Sequence, residues 1–189
     1  MAKLYFNYGA MASGKTTDLI ETAYKYNSKG NKALVMKPAI DTKGGSYIVS
    51  RIGLKIKADI VLRADEKVFD YLSVLKDITC LIVEEAEFLT EDQIFELFVL
   101  TKKNNIPVIC YGLKADFQTN SFPGSKRLFE LADELNELVA ICACGKKARF
   151  NARKINGEFV SEGPQVLIGA DEAYEPLCGN CYLTKVLKK

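Results

Sequence analysis

Gly9-Ala10-Met11-Ala12-Ser13-Gly14-Lys15-Thr16 fits G-x-x-x-x-G-K-[ST], the pattern of a phosphate-binding loop. Its flanks decide the fold. Leu4-Tyr5-Phe6-Asn7-Tyr8 comes before it, short and aromatic, with strand propensity. After it, Leu19, Ile20, Ala23 and Tyr26 recur at helical spacing. A strand, a glycine loop and a helix start, in that order, turn a match of letters into a structural expectation. Such a loop aims successive backbone N–H groups at one point, and the helix N-terminus adds partial positive charge there. In that geometry Lys15 reaches the β- and γ-phosphates of a nucleotide and the Thr16 hydroxyl ligates Mg²⁺.

Outward from the loop, short apolar runs alternate with amphipathic helical stretches. Strands are expected at 4–8, 32–37, 80–84 and 107–111, with a further one near 138–142. Ser28-Lys29-Gly30-Asn31 closes the first helix, with Gly30 available for a left-handed cap. Thr90-Glu91-Asp92-Gln93 reads as a capping box opening a helix to about residue 103, with Ile94, Leu97, Phe98 and Thr101 along one face. Short strands separated by helices predict βαβ units. The expected fold is α/β: a P-loop NTPase-like, mostly parallel sheet flanked by helices, with ligands beyond the carboxyl ends of its strands. Two segments break the alternation. Residues 39–57 are polar, contain Gly44-Gly45 and Arg51, and read as a loop or hairpin. Residues 112–126 show no regular period and read as a long irregular loop, which in a compact domain is more often functional than not.

Composition narrows the function classes. The chain has 189 residues, 48% of them hydrophobic, enough for a proper core. No apolar run is long enough for a membrane span. The first strand begins almost at residue 1, so the expectation is a cytoplasmic chain without a signal peptide. A net charge of +2, from 26 basic and 24 acidic residues, gives no electrostatic argument for nucleic-acid or membrane partners. Lys146-Lys147-Ala148-Arg149 and Arg153-Lys154 read as a solvated surface cluster. With no histidine, any general base is a carboxylate, Lys, Tyr or Cys.

Two further constellations carry chemistry. Leu81-Ile82-Val83 runs into Glu84-Glu85, an apolar strand ending in acid. Beside a phosphate loop, Glu84 is placed to hold Mg²⁺ and Glu85 to accept a proton from an attacking hydroxyl; two solvated glutamates at a loop start is the plainer alternative. Cys142-Ala143-Cys144-Gly145 and Cys178-Gly179-Asn180-Cys181 form two close pairs. Four thiolates saturate a tetrahedral Zn²⁺ and leave no open position, so the site would be structural; a redox pair or four unrelated thiols is the other reading. Cys80 and Cys110, in apolar strands, read as core thiols.

Taken in order, these segments resemble the type II thymidine kinases, deoxynucleoside kinases with a zinc lobe. The likeness spans essentially the whole chain. It rests on the loop at 9–16, Val83-Glu84-Glu85-Ala86-Glu87-Phe88, Tyr111-Gly112-Leu113-Lys114-Ala115-Asp116-Phe117, both cysteine pairs, and Val166-Leu167-Ile168-Gly169 followed by Tyr174; the C-x-C-G pair resembles a bacterial branch. The resemblance implies transfer of the ATP γ-phosphoryl group to the 5′-hydroxyl of thymidine, with Mg²⁺ and structural Zn²⁺. Residues 1–141 would form the kinase domain and 142–189 the zinc lobe, bridged by a lasso-type loop at 112–126. Glu85 matches the general base, while residues 9–16 and 84–87 match the ATP site. Phe117 and Leu113 match the thymine contacts. Met11, Phe88 and Phe122 would wall the base pocket, Val166, Leu167, Ile168 and Gly169 would read the base with backbone groups, Tyr174 would fix the nucleoside, and Arg51 would touch phosphate. A homotetramer and feedback by dTTP come with the family.

The chain departs from the family's Asp-Glu-x-Gln. Glu84 is a methylene longer than Asp, and Glu87 adds charge where Gln is usual; both predict weaker ATP–Mg²⁺ binding. A P-loop ATPase whose zinc lobe grips nucleic acid or a protein is the competing reading, against which the neutral charge stands. A GTPase would need Asn-Lys-x-Asp, which is missing: Asn31-Lys32-Ala33-Leu34 lacks the acid.

Overall fold

The computed structural model describes residues 1–166 and 173–188. Its sheet is built around central strands buried on both faces. β1 (Leu4–Gly9), β2 (Ala33–Pro38), β5 (Ile60–Leu62), β6 (Cys80–Val83), β7 (Val108–Leu113) and β8 (Glu134–Leu138) pair in the order β5-β2-β6-β7-β1-β8, every pair parallel. Alternation along β6 serves two cores. Leu81 and Val83 face the cluster that includes Ile94, Leu97 and Leu100 of α3 (Glu91–Lys103) and Leu128 of α4 (Pro123–Leu131). Cys80 and Ile82 face Leu19 and Ala23 of α1 (Lys15–Asn27). The Thr90 cap is reciprocal: Thr90 Oγ1 accepts from Gln93 N–H, and Gln93 Oε1 accepts from Thr90 N–H, each at 3.1 Å.

Residues 39–57 contain a hairpin, one of their two expected readings, in which β3 (Tyr47–Val49) pairs with β4 (Lys55–Lys57); β5 follows it as an edge strand the sequence did not announce. The strand near 138–142 lies earlier, as β8; residues Ala140–Ile141 instead form β9, paired with β10 (Lys147–Ala148). The 112–126 segment is irregular only between the end of β7 at Leu113 and the start of α4 at Pro123. A one-turn helix α2 (Leu72–Leu75) packs Leu75 into the first core.

The C-terminal part is a second, smaller sheet, β12-β11-β13, made of β11 (Phe150–Ile155), β12 (Glu158–Val160) and β13 (Tyr174–Leu177). It is closed by α5 (Gly179–Lys185). Its core contains Ala148, Ala152, Leu177, Cys178 and Tyr182 and includes Ala10 of the phosphate loop, so the small sheet packs directly behind that loop. No helix among the described residues is long and apolar enough to cross a membrane.

Candidate active site

The loop joins the carboxyl end of β1 to the N-terminus of α1. Ala12 (φ 59°) and Gly14 (φ 84°) take left-handed backbone there, which curls the chain. Lys15 is nearly buried and its Nζ donates to Ala10 O at 3.0 Å, so the ammonium rests on the loop's own carbonyl. Met11 to Thr17 line one cleft, together with Lys43, Val49, Arg51, Ile52 and Glu85. Arg51, expected near phosphate, thus overhangs the loop from the β3–β4 turn.

At the end of β6, Thr16 Oγ1 donates to Glu84 Oε1 at 2.6 Å, while Glu84 Oε2 is buried with no hydrogen-bond partner. Burial, reinforced by the charge of Glu85, pushes the Glu84 carboxyl up to about 8 against the Thr16 bond and Lys15. Glu85 itself sits at φ 46°, a left-handed position uncommon for a residue with a side chain. Glu87 does not reach either cleft. It is 1% exposed, both its oxygens lack partners, and a Cβ on Gly112 would come within 2.6 Å of Oε2. Burial first, then the Glu85 carboxylate, holds Glu87 well above the ordinary carboxylate range. Ala86 is buried in the main core rather than at the phosphates.

A second, more apolar cleft adjoins the first, with ≈ 690 Å³ of atom-free space including its mouth, within the range of small-molecule sites. It gathers Met11, Phe88, Leu113, Phe117, Phe122, Val166 and Tyr174, all expected from the sequence. Glu85, Met11 and Lys43 belong to both clefts, so the acid stands where the two meet. Phe88 and Phe122 pack edge to face, 5.5 Å between centroids. Leu167, Ile168 and Gly169 lie outside the described residues.

The family-model comparison matches residues 2–182 to "Thymidine kinase". A thymidine kinase of Legionella pneumophila (strain Paris) is 43% identical over 183 residues, 94% of this chain and 88% of the relative. One from Chromobacterium violaceum is 42% identical over 185 residues, covering 96% and 98%. One from Streptococcus pyogenes serotype M28 is 40% identical over 185 residues, covering 96% and 97%. The chain belongs to the thymidine kinase family.

In this thymidine kinase family member the four cysteines also come together. The Sγ atoms of Cys142, Cys144, Cys178 and Cys181 lie within 4.8 Å of one another, with Cys144 and Cys178 at 3.6 Å. A tetrahedral ion with Zn–S bonds of about 2.3 Å needs sulfurs roughly 3.8 Å apart, so the cluster can hold a metal ion. Backbone N–H groups of Cys144 and Cys178 bring the Cys142 thiol down to about 6, whereas its three neighbours' hydrogen bonds push Cys181 up to about 12. A cation among them removes that conflict by favouring thiolate at every position. Cys80 and Cys110 are buried core thiols, as expected, and burial raises both.

Sequence reasoning missed five side chains lining the apolar cleft: Asp41, Lys43, Asp116, Asn151 and Gln165. Asn151 spans from the lobe to the loop, accepting from Met11 N–H at 2.7 Å and donating to Ala115 O at 2.9 Å. Asp116 accepts from the N–H groups of Gln118 and Asn120 and from Gln165 Nε2. Lys37, fully buried, pairs with Asp41 at 2.8 Å and donates to Lys43 O and Gly45 O, which pins the 41–45 turn over the site. Arg153, read as surface, is instead 2% exposed. The only advance signal for Asp116 was its place beside Phe117; the others became neighbours through folding alone.

Proposed function

We propose that the protein is an ATP-dependent thymidine kinase that moves the γ-phosphoryl group of ATP to the 5′-hydroxyl of thymidine. The observation that carries the reading is Glu85 standing at the junction of the two clefts. ATP phosphates on the N–H groups of residues 9–16 and a nucleoside between Phe117 and its neighbours would bring donor and acceptor together at that carboxylate. Glu85 takes the proton of the 5′-hydroxyl as its oxygen attacks phosphorus. Lys15, released from the Ala10 carbonyl, meets the β- and γ-phosphates. Phosphoryl transfer is mainly positioning and charge stabilisation, and the aromatic cleft excludes the water that would otherwise accept the phosphoryl group.

Thr16 Oγ1 and the unpartnered Glu84 Oε2 form an oxygen donor set suited to Mg²⁺, directly or through water. Bound there with ATP, the ion supplies charge neutralisation of the phosphates. The cysteine cluster, closed and made wholly of sulfur, suits Zn²⁺ in a structural role. Family membership extends the proposal to a cytoplasmic homotetramer inhibited by dTTP; light scattering and inhibition curves test the last two.

The deciding experiment measures ADP release with ATP and Mg²⁺, each deoxynucleoside added separately. Turnover dependent on thymidine, or on thymidine and deoxyuridine, is the expected result. ATP turnover indifferent to nucleosides but stimulated by DNA would overturn it.

A further inference from the structure

Arg153 lines neither cleft, yet it touches three separate walls of the apolar one. Its Nε donates to Tyr174 Oη at 2.9 Å, its Nη1 to Pro164 O at 2.6 Å, and its Nη2 to Gln165 O at 3.1 Å. The guanidinium carbon stands 3.8 Å from the centre of the Phe117 ring. Phe117 belongs to the loop after β7, Pro164 and Gln165 to the stretch after β12, and Tyr174 to β13. Among the described residues no carboxylate pairs with this buried charge. Its desolvation is offset by carbonyls, a phenol and a π face, which hold a cation only when all are in place. A planar fork with fixed donor directions sets distances among its partners; an ammonium on a flexible stem does not.

We propose that Arg153 is a positioning residue that sets the width of the slot for the nucleoside base, by holding Phe117 in register with the 164–166 stretch and Tyr174. It thereby determines nucleoside affinity and the preference for a one-ring base without touching the base. The inference rests on the apolar cleft being the nucleoside site. The phosphate loop is not among the contacts of Arg153, so the effect belongs to one substrate alone.

The test uses R153K and R153M in the full, metal-loaded protein, with folding checked by circular dichroism and metal content. Michaelis constants are measured for thymidine and for ATP, and turnover for purine deoxynucleosides. The expected result is a thymidine KM raised about tenfold or more, an ATP KM within about twofold of wild type, and relatively better use of purine nucleosides. In a double-mutant cycle, F117L costs less in R153K than in wild type, because both changes remove the same wall. A folded variant with unchanged thymidine KM, or with both KM values rising together, overturns the proposal. Amide exchange supplies a readout without substrate: residues 114–122 and 163–166 lose protection together in R153K while α5 does not. If wild type proves indifferent to thymidine, the functional reading fails on its own. Unchanged exchange in R153K would then sink the Arg153 proposal separately. Should R153M fail to fold, R153K carries both measurements.

Discussion

The loop half and the apolar half of the candidate site are built on different length scales. The first is built mainly on one continuous stretch: Lys15 rests on Ala10 O and Asp18 N–H donates to Gly14 O, while Glu84, Glu85 and the Arg51 turn come to it from other segments. In the second, contacts from far along the chain hold the walls. Tyr182 Oη donates to Phe117 O at 2.6 Å, Asn151 reaches Ala115, and Arg153 reaches Tyr174. The curl of the loop itself is therefore set where β1 and α1 meet. The apolar half exists only when the small sheet and α5 are in place, and α5 opens at Cys178 of the cysteine cluster. Damage to the C-terminal lobe should cost nucleoside affinity more than ATP affinity.

The largest effect belongs to the residue the halves share. E85Q should lower kcat by about 10²–10⁴-fold, the usual worth of a general base, with both KM values nearly unchanged. A rate within tenfold of wild type would remove Glu85 from the chemistry. Next, C144S should lose its metal ion and weaken thymidine binding by roughly tenfold or more while ATP affinity holds, read by metal analysis and calorimetry. Equal losses for both substrates would erase the contrast between the halves.

G124A probes the hinge where the loop after β7 meets the acidic segment. A Cβ there would lie 2.5 Å from Ala86 O and 2.8 Å from both Glu87 O and Leu89 O, backbone atoms that cannot turn aside. Overpacking of this kind costs about 1–3 kcal/mol, measurable by urea unfolding. Neutral behaviour would mean α4 is free to slide.

The smallest effect is a pH dependence. The native Glu87 carboxyl keeps its proton above the ordinary value of 4.5, so the folded state binds more protons than the unfolded one over that range. Stability should therefore fall as pH rises from about 4.5 through the raised value of Glu87. E87Q removes this contribution. It should match wild type near roughly pH 4 and become increasingly more stable than it as pH rises. Glu84, raised in the same sense, contributes a slope that stays in the variant. Parallel stability curves for E87Q and wild type would show that Glu87 ionises normally.

Legibility in the sequence follows the same division. The loop, β2, β6, β7 and the capped α3 could be read because their signals are local: glycines, buried β-branched runs, a Thr-x-x-Gln box. β5 hid because three residues at a sheet edge, with Val61 exposed, carry no period. β8 hid because Glu134-Leu135-Asn136-Glu137-Leu138 is a polar edge strand, made a strand by pairing with β1. α4 hid because Pro123-Gly124-Ser125 reads as a turn. It becomes a helix start because Pro fits the first helical position and Gly124 lets it seat on the 86–89 carbonyls. The Arg153-Lys154 pair reads as surface until Phe117, Pro164, Gln165 and Tyr174 enclose its first member.

By itself the sequence determined a phosphate loop on a parallel α/β sheet, an acid at the end of another strand, a four-sulfur cluster and the family. These are written in neighbouring residues, whose backbone and side-chain preferences act over a few positions. Only the tertiary structure decided that Glu85 stands between two clefts, that Glu87 is sealed away from both, and that Arg153 lies buried behind the apolar one. Burial and partner geometry depend on which distant segments share a volume, and that is fixed by packing the C-terminal lobe against the phosphate loop and the loop after β7, and α4 against the acidic segment.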